Sequence, residues 1–188
     1  NTVFFDNVRV PKSGRVGEEN KGWGVAKYLL EFERGGNEYG PGLYRHLEKV
    51  KQIARWEDGG TGSKLIDDRR FYDRVCELEI GITGLVWTEN RIKAALGSGE
   101  NPGPAASMTK ILGTELSQKI TELAIEAVGI YGLPLQTEAL VPGYGGDIVG
   151  PEYALTEMPR YLNTRAASIY GGSNEVQRGI IAKTVLGL

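Results

Sequence analysis

Two stretches of this 188-residue chain carry residue types at spacings that chemistry uses. Near the C-terminal end, Tyr170-Gly171-Gly172-Ser173-Asn174-Glu175 runs straight into a helical pattern with Val176, Ile180, Ile181 and Val185 on one face. Paired glycines let backbone approach another molecule closely. Ser173 is a natural N-cap, and Glu175 suits the positive end of a helix dipole. The free N–H groups of such a helix start, together with the glycines, can seat a phosphate. The same residues equally describe a plain capped terminal helix. The second stretch is Glu33-Arg34. Trp23, Ala26, Leu29, Leu30 and Glu33 fall on one face of a helix starting near Gly22, which puts a carboxylate at the edge of an apolar surface. In dry surroundings such a carboxylate has a raised pKa and can act as a base. By pattern alone, an ion pair at the rim with a neighbouring cation accounts for it as well.

Other reactive side chains point away from chemistry. His46 stands among charged residues with no second His or Cys at ligand spacing, so a solvated helix-face histidine is expected and no metal site. Cys76, the only cysteine, excludes an internal disulfide and falls within an apolar helical pattern, as a small buried hydrophobe would. The formal net charge of −2 is spread along the chain and recommends neither nucleic acid nor an anionic membrane as partner. No apolar run approaches the ~20 residues that span a bilayer, so no integral membrane segment is expected.

The elements that must position these residues follow from periodicity. Residues 2–10 carry Val3, Phe4, Phe5, Val8 and Val10 before Pro11 and read as a strand. A lone strand needs partners that this chain does not supply, and with a start at Asn1 this implies a fragment of a longer protein. A helix from Gly22 should break in the glycine-rich stretch 35–42 and resume to Trp56. Asp58 to Ser63 reads as a turn, with Asp67 or Asp68 capping the next helix. Phe71, Val75, Leu78, Ile82, Leu85, Val86 and Ile92 form one helical stripe. Met108, Ile111, Leu112, Leu116, Ile120, Leu123, Ala127 and Val128 form another. A Gly- and Pro-rich loop from Gly132 to Tyr153 precedes closing helices over about 155–167 and 173–185. Long stripes joined by short turns predict an all-α, antiparallel, four-helix-bundle-like domain with a short N-terminal β-strand remnant.

The terminal IYGGSNEVQRGIIAKTVLGL resembles the C-terminal signature of the acyl-CoA dehydrogenases, commonly written IYEGTxExQRxIIAxxxLGL. At the other end, FDNVRVP followed by VGEENKGW is similar to the segment leaving that family's middle β-domain. The resemblance implies that residues 1–20 are the tail of the middle β-domain and 21–188 the C-terminal helical domain. It also implies the reaction: a carboxylate removes the α-proton of an acyl-CoA thioester while hydride leaves the β-carbon for FAD.

Many members place that base at the glutamate of IYEG, where this chain has Gly171. A second branch, resembling isovaleryl-CoA and long-chain acyl-CoA dehydrogenases, carries it in a Glu-Arg pair on the first helix, here Leu30-Glu31-Phe32-Glu33-Arg34. Glu33 is then the implied base, and the Gly171 N–H the donor to the thioester oxygen. Arg34 lies near substrate and Tyr170 lines the acyl pocket on the same ground. Gly172, Ser173 and Glu175 match positions that approach FAD. Arg55 is the nearest counterpart of the RxxFG arginine, although WEDGGTGS follows it, and Gly129 stands where QxLGG has its glutamine.

The resemblance further implies electron-transfer flavoprotein as acceptor and a homotetramer or dimer of dimers. It implies a bacterial cytoplasmic or mitochondrial matrix setting, and inactivity of the fragment by itself. An acyl-CoA oxidase or flavin monooxygenase of the same architecture is the alternative within the class. The departures at Gly129 and after Arg55 would suit a non-catalytic helical assembly subunit.

Overall fold

The computed structural model describes residues 2–33, 38–60, 62–100 and 103–188, and it divides into two units, Asn1–Gly36 and Asn37–Leu188. In the first unit a 3-10 turn, Lys12–Gly14, follows Pro11, and helix α1 spans Gly22–Glu33. Residues 2–10 form no strand. Their β-prone composition finds no backbone partner among the described residues, and without a ladder the segment stays irregular. The one β-type pairing described is an isolated bridge between Asp58 and Lys64, at the turn expected there.

The second unit is helical. Helix α2 spans Gly40–Trp56, α3 Arg69–Gly97, α4 Ala105–Val128, α5 Glu157–Thr164 and α6 Asn174–Ile181. Helices α2, α3 and α4 pack on one another, and α5 and α6 pack on α4. The core follows the expected stripes: Leu43, Leu47, Val50 and Ile53 from α2, Phe71, Val75, Ile82 and Leu85 from α3, and Ile120, Leu123 and Ala127 from α4. Burying each of the Val, Leu, Ile and Phe side chains among these contributes about 1.5–3 kcal/mol. The fold class is all-α, as the periodicity predicts.

Local chemistry sets the element ends. The Asp68 carboxylate accepts from the Phe71 N–H at 2.9 Å and caps α3. Gly129, at φ 56°, ends α4 and opens a 3-10 turn, Gly129–Gly132. The closing helices are shorter than expected, because α5 passes into a 3-10 turn at Arg165–Ser168 and α6 into a π turn at Ala182–Leu186. In the long loop, the Gln136 side chain stands in for a strand. It donates to Val149 O at 3.0 Å and accepts from Val149 N–H at 2.7 Å. Among the described residues no helix is long and apolar enough to cross a membrane.

Candidate active site

Within the second unit, the first turns of α2, the N-terminal half of α4 and the segment from Thr164 to Gly171 border a half-open cavity of about 360 Å³. Its wall includes Tyr39, His46, Lys110, Thr114, Tyr170 and Gly171.

The α2 side is fixed from outside the helix. Tyr39, the residue before α2, has no side-chain cap to offer. Buried Glu89 on α3 supplies it: Oε1 accepts from Tyr39 N–H at 2.6 Å, and the same carboxylate accepts from Gly40 N–H at 3.3–3.4 Å. An anion at a helix start satisfies unpaired N–H groups and the dipole together. The Tyr39 ring fills the space over Gly113, where a Cβ would fall 2.3 Å from it. Burial pushes the Tyr39 phenol above its ordinary pKa, and Tyr170 and Glu89 add to the effect.

The opposite wall is tied down by a polar seam between α4 and α6. Lys110 Nζ donates to Asn174 Oδ1 at 2.8 Å and Thr114 Oγ1 donates to the same oxygen at 3.2 Å. Asn174 Nδ2 donates to Glu115, which also pairs with Arg178 at 2.5 Å. Asn174 is buried, so this satisfaction is required of it. Burial lowers the pKa of Lys110, and Glu175 pulls it the other way. Below the turn, Arg165 donates to Thr121 Oγ1 at 2.7 Å and Gln118 O at 3.0 Å, pairs with Glu122 at 2.6 Å, and lies 4.4 Å over the Tyr161 ring. Its planar fork thereby anchors the chain just before Tyr170.

Gly171 and Gly172 have φ of 66° and 84°, conformations that glycine adopts without strain. Ser173 Oγ accepts from Val176 N–H at 3.3 Å and caps α6, as its sequence position suggests. A Cβ on Gly172 would fall 2.6 Å from Gln177 Nε2, so the buried Gln177 amide lies directly beneath the turn. The Gln177 Oε1 has no hydrogen-bond partner among the described residues. The exposed Glu175 carboxyl is held below its ordinary pKa by its own backbone N–H and by Ser173.

His46 departs from expectation. Its side chain is only 11% exposed, and Nε2 lies 3.4 Å from Glu157 Oε2. Glu157 on α5 is fully buried, and it also accepts from Lys49, which reaches Thr156 Oγ1 at 3.0 Å. Although burial opposes ionisation, hydrogen bonds from His46 and Lys49 and the charges of Lys49 and Arg160 hold the Glu157 pKa down at about 2. The charged neighbours of His46 in sequence suggested solvent, but its partner is 111 residues away in the chain.

Of the residues singled out from sequence, Tyr170 and Gly171 share the cavity wall, and Gly172, Ser173 and Glu175 follow at the start of α6. Arg55 is exposed in the last turn of α2 and does not line this cavity. Glu33 ends α1 in the first unit with its side chain outside the described residues, and Arg34 itself lies outside them. Cys76 is half-buried, on α3. Among the described residues, no group of three or more His, Cys, Asp or Glu is placed to hold a metal ion. Tyr39, Lys110 and Thr114 had no signal of their own in the sequence.

The family model for the acyl-CoA dehydrogenase C-terminal domain matches residues 20–186. The chain is 32% identical over 197 residues to "Acyl-CoA dehydrogenase IpdE1" of Mycobacterium tuberculosis, covering 100% of this chain and 44% of the relative. Among solved structures it resembles the ChsE4–ChsE5 complex from Mycobacterium tuberculosis, with a TM-score of 0.74 and 27% identity over 98% of this chain and 45% of that one. It also shares the fold of the FAD complex of PigA, with a TM-score of 0.76 at 21% identity over 98% of this chain and 43% of that one. The chain belongs to the acyl-CoA dehydrogenase family and corresponds to its C-terminal domain, spanning less than half the length of these relatives.

Proposed function

We propose that this chain is the C-terminal part of an FAD-dependent enzyme that introduces an α,β double bond into an acyl-CoA thioester. The observation that carries the reading is the cavity itself. Tyr170 and Gly171, the family's signature dipeptide position, line a half-open cavity beside Lys110 and Tyr39. Gly171 has no side chain and nothing within 4 Å of a Cβ built there, so its backbone is open to a ligand.

In this reading Glu33 takes the α-proton, and the thioester carbonyl becomes an enolate whose oxygen accepts from the Gly171 N–H. A donor aimed at developing negative charge in a water-excluded site is worth several kcal/mol of barrier. Arg34 orients the substrate, and Tyr170 borders the acyl chain. The turn at Gly172 suits a cofactor approach: the glycine presents bare backbone, α6 opens behind it, and the unpaired Gln177 acceptor lies beneath. Gly172, Ser173 and Glu175 would face the cofactor, which when bound accepts the hydride leaving the β-carbon. Arg55, exposed on α2, is assigned to a pyrophosphate contact with a neighbouring subunit. Electron-transfer flavoprotein is the proposed acceptor, and the proposed assembly is an oligomer of copies or of related chains.

The test is the visible spectrum of the full-length protein, titrated with acyl-CoAs without oxygen. Bleaching of a flavin band by a thioester supports dehydrogenation, and rapid recovery on admitting air would assign an oxidase instead. A colourless protein that cannot be reconstituted with FAD would overturn the reading in favour of an assembly subunit.

A further inference from the structure

A second cleft, of about 430 Å³, opens beside the first and is lined by Gly42, Arg45, His46, Lys49 and Arg160. The two spaces share Gly42 and His46, one turn apart on α2. The electrostatics of this cleft are lopsided. Arg45, Lys49 and Arg160 bring three cations, and the buried Glu157 carboxylate interacts with Lys49 and Arg160. Glu157 is already committed to His46 and Lys49 from its buried position. Arg45 and Arg160 are exposed and form no side-chain hydrogen bond or ion pair with the described residues. Two guanidinium groups with their hydrogen-bond donors uncommitted in one concave site, each a planar fork, are suited to an oxyanion.

We propose that this cleft receives a carboxylate at the far end of an acyl group whose body occupies the neighbouring cavity, so that the enzyme prefers ω-carboxyacyl or similarly anion-tailed thioesters. This rests on reading the first cavity as the acyl site. Arg160 and Arg45 hold the carboxylate; His46, held in place by Glu157, stands in the wall that the two spaces share. Lys49 supplies field but has its own partner, so the two arginines carry the discrimination. A free phosphate could use the same groups, and its source is separated by experiment.

Binding and turnover together test the proposal. Calorimetry on the full-length protein compares α,ω-dicarboxylates, monocarboxylates of matched length and inorganic phosphate. Kinetics compare ω-carboxyacyl-CoAs with methyl-ended acyl-CoAs of the same length. Arg160→Ala should weaken dicarboxylate binding and lower kcat/KM for the ω-carboxy substrates roughly 10- to 100-fold, the usual size of a lost charge-assisted bond, and leave methyl-ended substrates unchanged. Arg45→Ala should act in the same direction, which guards against a defect peculiar to one variant.

An equal loss on both substrate series would overturn the proposal, as would phosphate binding where no dicarboxylate binds. If Arg160-dependent dicarboxylate binding occurs but no thioester bleaches a flavin, the cleft stands and the dehydrogenase reading falls. Bleaching without any preference for a carboxylate tail sinks the cleft alone.

Discussion

Helix α2 is gripped by two buried carboxylates that work in different ways. Glu89, from α3, holds the backbone at the start of α2; Glu157, from α5, holds side chains in its middle turns. The first satisfies N–H groups that every helix start leaves open, and its effect is local and geometric. The second gathers charge, binding His46 and Lys49 while lying close enough to Arg160 to feel its field. Apolar packing of Leu43, Leu47, Val50 and Ile53 fixes where α2 lies and which face turns inward, and the two carboxylates tie down the residues beside the cavity. The lesson is that the site wall depends on buried polar contacts between distant parts of the chain, with the apolar core as their support.

Removing each carboxylate should separate the two roles. Glu157→Ala leaves His46 and Lys49 without their partner, and should lower stability by about 3 kcal/mol in a thermal or denaturant melt. Its folded pKa of about 2 lies below the ordinary 4.5, so the contribution is complete above pH 4.5 and fades as pH falls toward 2. By the same shift, wild-type stability should fall by about 3 kcal/mol over that window from this group, and Glu157→Gln should flatten the slope.

Glu89→Ala strands the N–H groups of Tyr39 and Gly40, at a cost of about 2 kcal/mol. Hydrogen exchange should speed up selectively at those amides, and equal acceleration throughout α2 would erase the distinction between the two grips. Gly113→Ala sharpens the first role further. A methyl 2.3 Å from the Tyr39 ring must displace it, and overpacking less the gain in helix propensity should leave a net cost of about 1 kcal/mol. Its visible consequence would be a displaced Tyr39 ring in the crystal structure of the variant.

What could be read from the sequence was what depends on neighbours in the chain. The stripe of α3, that of α4 apart from the exposed Met108 and Leu112, the Asp68 and Ser173 caps and the glycine turn at 171–172 are all local patterns, and the structure has them. The terminal signature located Tyr170 and Gly171, which do meet in a cavity wall. Contacts across more than a hundred residues left no trace. His46 looked solvated because its immediate neighbours are charged, and only the fold brings Glu157 to it. Tyr39 lies in a stretch that glycine and proline marked as a break, so its position over Gly113 had no periodic signal. The expected strand at 2–10 failed for a related reason: strand propensity becomes structure only when a second strand supplies the ladder.

In the proposed reaction Glu33, and no side chain at position 171, is the base. The direct measurement is anaerobic reduction of the flavin by acyl-CoA in full-length protein carrying Glu33→Gln. With Glu33 as base, the variant should show a flavin spectrum like that of the wild type before substrate, unchanged substrate affinity, and a reduction rate lower by roughly 10²–10⁴-fold, the range of a lost general base. Reduction at close to the wild-type rate would contradict it.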